Sequence, residues 1–285
     1  MIKIIKYFFE ALLVYSFFFL VKIIGLNLGR KISSFIFKKV GPLVKSNNVI
    51  KKNLAKYSKN LSKVREQEII LNMWSNYGKT FVEYIFLKKL RNESFHVNVE
   101  NEQILNDVIS NNKPVIFISG HFANFELMSM EITKRKIQLA TIYRPLNNFF
   151  LNKFMEYLRK KYVCRNQIKK GRAGVKDTLE FINTGHSIAL MIDQRVSEGE
   201  RIKFFNEDAL TTTLPAQLSV KYNIDILPIF IERKNNDSFN IKIFKPIQPK
   251  KFHSKIEITN KLNEVLEKMI ITRPDQWIWT HDRWK

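Results

Sequence analysis

The sequence predicts a layered α/β fold, with a largely parallel sheet and flanking helices, preceded by an N-terminal hydrophobic helix and a small helical segment. Three observations predict it. Past residue 95, apolar runs of strand length alternate with stretches of helical length, the pattern of β-α-β units. Before residue 95, apolar residues recur at helical spacing. The first 29 residues hold the most apolar run of the chain. With 285 residues and 45% hydrophobic content, the chain is long enough to bury one sizeable core.

The elements follow in order. The run "YFFEALLVYSFFFLVKIIGLNLG", Tyr7 to Gly29, is interrupted only by Glu10 and Lys22. A membrane-spanning helix needs roughly 20 mostly apolar residues, and this run meets that length. It has no small-residue cleavage site, so it reads as a retained anchor covering residues 1–29 and not as a signal peptide. Residues 30–94 read as a basic, amphipathic helical segment. Within it Ser62 is a candidate N-cap with Glu66 close behind, and Ile69, Met73, Tyr77 and Phe81 form a stripe every four residues. Residues 95–285 carry the α/β domain. Its expected strands are Pro114 to Ser119, Gln138 to Tyr143, Ser187 to Ile192, Asp225 to Glu232 and Phe239 to Phe244. Helices fill the gaps at Phe122 to Lys136, Asn148 to Tyr162, Gly174 to Thr184, Pro215 to Tyr222 and Ile256 to Ile271. In the second of these, Phe150, Phe154, Tyr157 and Leu158 form an inward stripe, with Arg159 about 100° further round. There is no internal repeat, no low-complexity linker and no clean boundary.

The formal charge is +22. Such a balance points to an anionic partner: nucleic acid, a phospholipid surface or a phosphorylated substrate. The first 60 residues contain 12 Lys/Arg and one acid. Zinc-finger spacing, a basic zipper and ribonucleoprotein-type aromatic motifs are all missing, and the basic stretch adjoins the apolar run. Membrane lipid is therefore the preferred partner, with no nucleic acid. Arg30, Lys31, Lys38 and Lys39 would face an anionic cytoplasmic leaflet. The single cysteine, Cys164, rules out an internal disulfide.

The chemistry centres on "GHFANFE". His121 follows Gly120 at a strand end, and Glu126 falls in the helix that follows. Ligands of open α/β sheets bind at such carboxyl ends. An imidazole in the turn can fold back onto the carboxylate, which fixes its tautomer and frees the other nitrogen to take a proton. Taken alone, the pattern is loose and better fits a His that merely caps the helix and a Glu that faces solvent; the context decides otherwise. A Gly-x-Ser-x-Gly elbow and a His-Glu-x-x-His zinc pattern are absent, and the five histidines are scattered. That leaves base-assisted attack by a substrate hydroxyl, with no metal and no cofactor expected.

"GHFANFE" resembles the His-x4-acid motif of the lysophospholipid acyltransferase superfamily, in the form used by the lipid A biosynthesis (late) acyltransferases of the lauroyl and myristoyl type. The resemblance runs through "YFFEALLVYSFFFLV", "IKKNLAKYSKNLS", "WSNYGKTFVEYIFL", "YRPLNNFFLNKFMEYLRKKY", the block from Gly185 to Arg233, and "RPDQWIWTHDRWK". Asn206 stands where the family often has Gly after its Phe-Phe pair.

The resemblance implies an acyltransferase that moves a fatty acyl chain from acyl carrier protein or acyl-CoA to a hydroxyl of a phosphorylated glycolipid, a lipid A precursor, at the cytoplasmic face of the inner membrane. It implies His121 as general base with Glu126 as its partner. It implies substrate-binding roles for Arg144, Arg159, Asp193, Gln194 and Thr213; Asp193 also fits a turn or cap, and Thr212 and Thr213 fit capping of the helix near Pro215. Two alternatives stay open on the residues alone: transfer to another membrane glycolipid or amino-acid lipid, and a non-catalytic lipid-holding membrane protein.

Overall fold

A computed structural model describes residues 2–44 and 47–285; Met1, Lys45 and Ser46, the second of which is among the basic residues counted above, lie outside it. The chain opens with helices α1 (Ile2–Ile24), α2 (Leu26–Val44), α3 (Asn47–Tyr57) and α4 (Lys63–Glu83), then the short α5 (Leu87–Asn92). Strand β1 (Val97–Glu100) and helix α6 (Gln103–Asn111) lead to β2 (Ile116–Ser119), α7 (Glu126–Lys134), β3 (Leu139–Tyr143) and α8 (Phe149–Tyr162). Then come β4 (Asn166–Lys169), α9 (Arg172–Asn183), β5 (Ser187–Met191), a hairpin of β6 (Glu200–Phe204) and β7 (Glu207–Thr211), and α10 (Leu214–Tyr222). Strands β8 (Ile226–Arg233) and β9 (Phe239–Ile243) and helix α11 (Lys255–Thr272) complete the order.

The main sheet has seven strands in the order β1-β9-β8-β2-β5-β3-β4. The five from β8 to β4 are mutually parallel; β9 pairs antiparallel with β8, and β1 runs parallel to β9. All five expected strands are present. The sheet adds β1 and β4, which are its two edges. An edge strand has a wet side, so "NQIK" and the alternating "VNVE" give no apolar run to detect.

Helices cover both faces, and β2 shows why. Ile116 and Ile118 point into a core shared with α3, α4, α9, α10 and α11. Phe117 points the other way, into a core with α7 and the ends of α1 and α2. The Ile69 and Met73 stripe of α4 is thus sheet-facing, as its spacing predicts. Ser62 caps α4 by accepting from the Arg65 N–H at 3.2 Å. Tyr157 departs from its stripe: it is exposed, because α8 is the outer helix there and only Leu158 of the four is buried. The β6–β7 turn places Phe205 at φ +51° and Asn206 at φ +61°, a left-handed pair as in a type I′ hairpin. Asparagine tolerates that conformation, which accounts for its standing where glycine is common.

Gly25, at φ +85°, separates α1 from α2. Helix α1 has 23 residues and a mean hydropathy of 1.9 over its most apolar window. One side of it packs on the body, where the Tyr15 hydroxyl donates to the Phe150 carbonyl at 2.8 Å and Phe18 is buried against Phe81 and Phe154. The other side, with Leu13, Phe19 and Ile23, is bare, and Phe35 and Leu43 of α2 extend the apolar surface. An exposed apolar surface of this extent marks a membrane-associating face.

Candidate active site

Strands β2 and β5 are neighbours, with Ser119 paired to Met191. Two residues further along each chain stand His121 and Asp193, so the register brings them together at the carboxyl edge of the sheet. The His121 Nδ1 lies 2.8 Å from one Asp193 oxygen, and the His121 main-chain N–H donates to the other at 2.8 Å. The Trp277 indole N–H donates to that second oxygen at 2.9 Å. Asp193 is buried. Burial alone would raise its pKa; the His121 imidazole and the N–H donors of His121 and Trp277 outweigh this and hold it below the ordinary carboxylate range. A carboxylate accepts, so Nδ1 carries the proton and Nε2 of neutral His121 offers a lone pair.

The turn that presents His121 is held from several sides. A Cβ on Gly120 would sit 2.8 Å from the Phe122 ring, so only glycine fits before the histidine. Ala123 adopts φ +44°, an unusual conformation for alanine. Its N–H donates to the Gln276 carbonyl at 3.2 Å, and its carbonyl accepts from the Thr80 hydroxyl at 3.0 Å. The Asn124 amide donates at 2.9 Å to Glu83, which is fully buried and also bound by Arg30 and Arg233. Burial pushes the Glu83 pKa up, but the two guanidinium groups more than reverse this, so Glu83 is a firmly ionised anchor for the turn.

The expected pairing of His121 with Glu126 is corrected. Glu126 begins α7 and turns toward α4 and α8, where one of its oxygens accepts from the Tyr84 hydroxyl at 2.6 Å and from Arg159 Nε at 2.7 Å. Arg159 also donates to the Tyr84 oxygen at 3.1 Å. No hydrogen bond links Glu126 to His121, whose Nδ1 is already committed across the sheet to Asp193. Arg159 is thereby a partner of Glu126. Burial lowers its pKa and the Glu126 carboxylate more than restores it, keeping the guanidinium charged.

A cavity of about 620 Å³ joins these groups. Its walls include Val14 and Phe18 of α1, Phe37 of α2, Phe81 of α4 and Met155 of α8; His121, Glu126, Arg144, Arg159 and Gln194 also border it. The volume lies within the range of small-molecule sites, roughly 300–1,000 Å³. Arg144 is exposed at its edge. Thr212 borders the cavity and its hydroxyl accepts from the Leu214 N–H at 3.3 Å. Thr213 precedes α10 but makes no side-chain cap; its hydroxyl accepts from the Gln217 amide at 2.9 Å, away from the cavity. Among the described residues no cluster of His, Cys, Asp and Glu is arranged to hold a metal.

The sequence model for "Bacterial lipid A biosynthesis acyltransferase" matches residues 2–285. The chain belongs to this family. A comparison with curated proteins finds no sequence match. Among solved structures the chain is similar to the 1-acyl-sn-glycerophosphate (LPA) acyltransferase PlsC from Thermotoga maritima, at 16% identity and a TM-score of 0.43, covering 95% of this chain and 99% of that one. The acyltransferase is thus an O-acyltransferase for lipid-like substrates, with an acyl donor, a lipid acceptor and a membrane-associating face. Sequence reasoning missed Tyr84 and Trp277 as partners of the two acids. It also placed Asp193 with the substrate when it binds His121. What finds it is the register itself: His121 and Asp193 each stand two residues past the paired Ser119 and Met191 of adjacent parallel strands.

Proposed function

We propose that this acyltransferase moves a fatty acyl chain from an acyl thioester, acyl carrier protein or acyl-CoA, to a hydroxyl of a phosphorylated lipid A precursor at the cytoplasmic face of the inner membrane. The observation that carries the chemistry is the His121–Asp193 pair bordering an apolar cavity. His121 Nε2 takes the proton from the acceptor hydroxyl as its oxygen attacks the thioester carbonyl. Asp193 holds the ring and stabilises the imidazolium. The tetrahedral intermediate collapses, the carbon–sulfur bond breaks, and the imidazolium returns the proton to the leaving thiolate. The apolar walls suit the acyl chain. The Glu126–Arg159 pair is a fixed polar wall, and Arg144, Gln194 and Lys170 line the side where an anionic headgroup meets positive charge. The lipid acceptor reaches the site along the bare faces of α1 and α2.

The test is acyl transfer by the full-length protein in neutral detergent, with lauroyl and myristoyl thioesters of acyl carrier protein and of CoA, read by mass spectrometry of the glycolipid product. Transfer to a phosphorylated lipid A precursor, lost in His121→Ala, is expected. A protein that acylates only an uncharged glycolipid or an amino-acid lipid would sink the acceptor assignment.

A further inference from the structure

A second imidazole borders the same cavity. His281 lies in the C-terminal segment and lines the cavity with His121; it also lines a neighbouring one of about 480 Å³. Its Nε2 accepts the main-chain N–H of Arg195 at 3.0 Å. A nitrogen that accepts is unprotonated, so the proton of neutral His281 sits on Nδ1. That N–H has no partner among the described residues. The segment is fixed by Asn53, whose amide donates to the carbonyls of Trp279 at 2.8 Å and His281 at 2.7 Å. A second proton on the ring would point straight at the Arg195 N–H, and burial likewise holds the His281 pKa below its ordinary value. The two histidines are therefore held in the same tautomer, protonated on Nδ1, but leave opposite atoms free: Nε2 in His121 and Nδ1–H in His281. His121 has a free Nε2 lone pair and His281 a free Nδ1–H, on two rings that both border the cavity. His121 and Asp193 both lie within electrostatic range of the His281 ring.

We propose that His281 is a further catalytic residue, donating its Nδ1–H to the oxyanion that forms as the thioester carbonyl is attacked. The proton stays on His281 throughout; the hydrogen bond shortens as negative charge grows on oxygen and relaxes when the thiolate leaves. A neutral donor suits this place, since it stabilises the developing charge without competing with His121 for the acceptor proton. The inference rests on the acyl-transfer reading above.

The test replaces His281 with Nδ1-methylhistidine, which keeps the acceptor for Arg195 and removes only the donor, beside His281→Gln, whose amide retains a donor. The methyl variant should lose about 10²–10³-fold in kcat, with unchanged melting and little change in either KM, and His281→Gln should lose less. A second measurement needs no turnover: calorimetric binding of a trifluoromethyl-ketone analogue of lauroyl-CoA, whose hydrate presents an oxyanion, should weaken at least about tenfold in the methyl variant. Equal kcat and equal analogue binding in wild type and methyl variant overturn the assignment. A kcat loss that tracks a fall in melting temperature overturns it too, in favour of a structural role. If the wild type binds the analogue yet acylates no glycolipid, the acceptor reading fails while the analogue still decides on His281.

Discussion

Two carboxylates flank the His121 turn, and they have opposite fates. Asp193 lies on the sheet side, buried against one titratable ring and one indole N–H. Glu126 lies on the helix side, buried against a guanidinium and a phenol. The first partner is an imidazole, the side chain that serves as base in the proposed reaction, so its acid is the one that would orient that base. The second partner is charged at every accessible pH, so its acid is locked in place. A carboxylate's role here follows from what it touches, not from its distance along the chain to the histidine.

Breaking each pair separates the two roles. Asp193→Asn should lower kcat at least ~10²-fold with the fold retained, because an amide in that position favours the wrong His121 tautomer. Steady-state transfer beside circular dichroism checks it; near-normal turnover in a folded Asp193→Asn protein returns the orienting role to Glu126. Glu126→Ala should act mainly on stability, costing about 3–5 kcal/mol, since it strands the buried Arg159 charge. Urea unfolding measures it, and a large kcat loss with unchanged stability would contradict the locked role. Arg159→Lys keeps the charge but loses the fork to Glu126 and Tyr84, for a smaller loss of about 1–3 kcal/mol.

Removing residues 2–24 should shift the protein from the membrane to the soluble fraction and weaken binding of the acyl chain, because Val14 and Phe18 leave the cavity wall. Fractionation at low and high salt, with donor KM, reads both effects. A truncated protein that stays with the membrane at high salt would remove α1 from the anchoring face.

The smallest effect concerns pH. His281 has a folded pKa below its unfolded value of about 6.5, chiefly through burial, with Asp193 and Asp282 opposing and His121 and Arg283 reinforcing. Its contribution to stability is present above about pH 6.5 and is lost as pH falls through the folded value, because the unfolded chain then binds the extra proton. The urea midpoint should therefore drop between about pH 7.5 and pH 5.5, and the drop should shrink in His281→Gln. An identical pH slope in that variant would exclude His281 as its source.

The sequence by itself determined the five interior strands, five of the six α-helices after residue 95 (all but α6), the apolar first helix and the histidine turn. Each is written in local terms: an unbroken apolar run, a repeat of three to four, a glycine where a side chain would collide with Phe122. Edge strands β1 and β4 escaped because one wet side removes the apolar run. Only the tertiary structure decided which acid meets His121. The helix that carries Glu126 sends its carboxylate to Arg159 and Tyr84, and the pairing of Ser119 with Met191 carries His121 and Asp193 to the same edge. That register is a contact between segments 72 residues apart, set by packing of both sheet faces, and no local pattern in either segment encodes it.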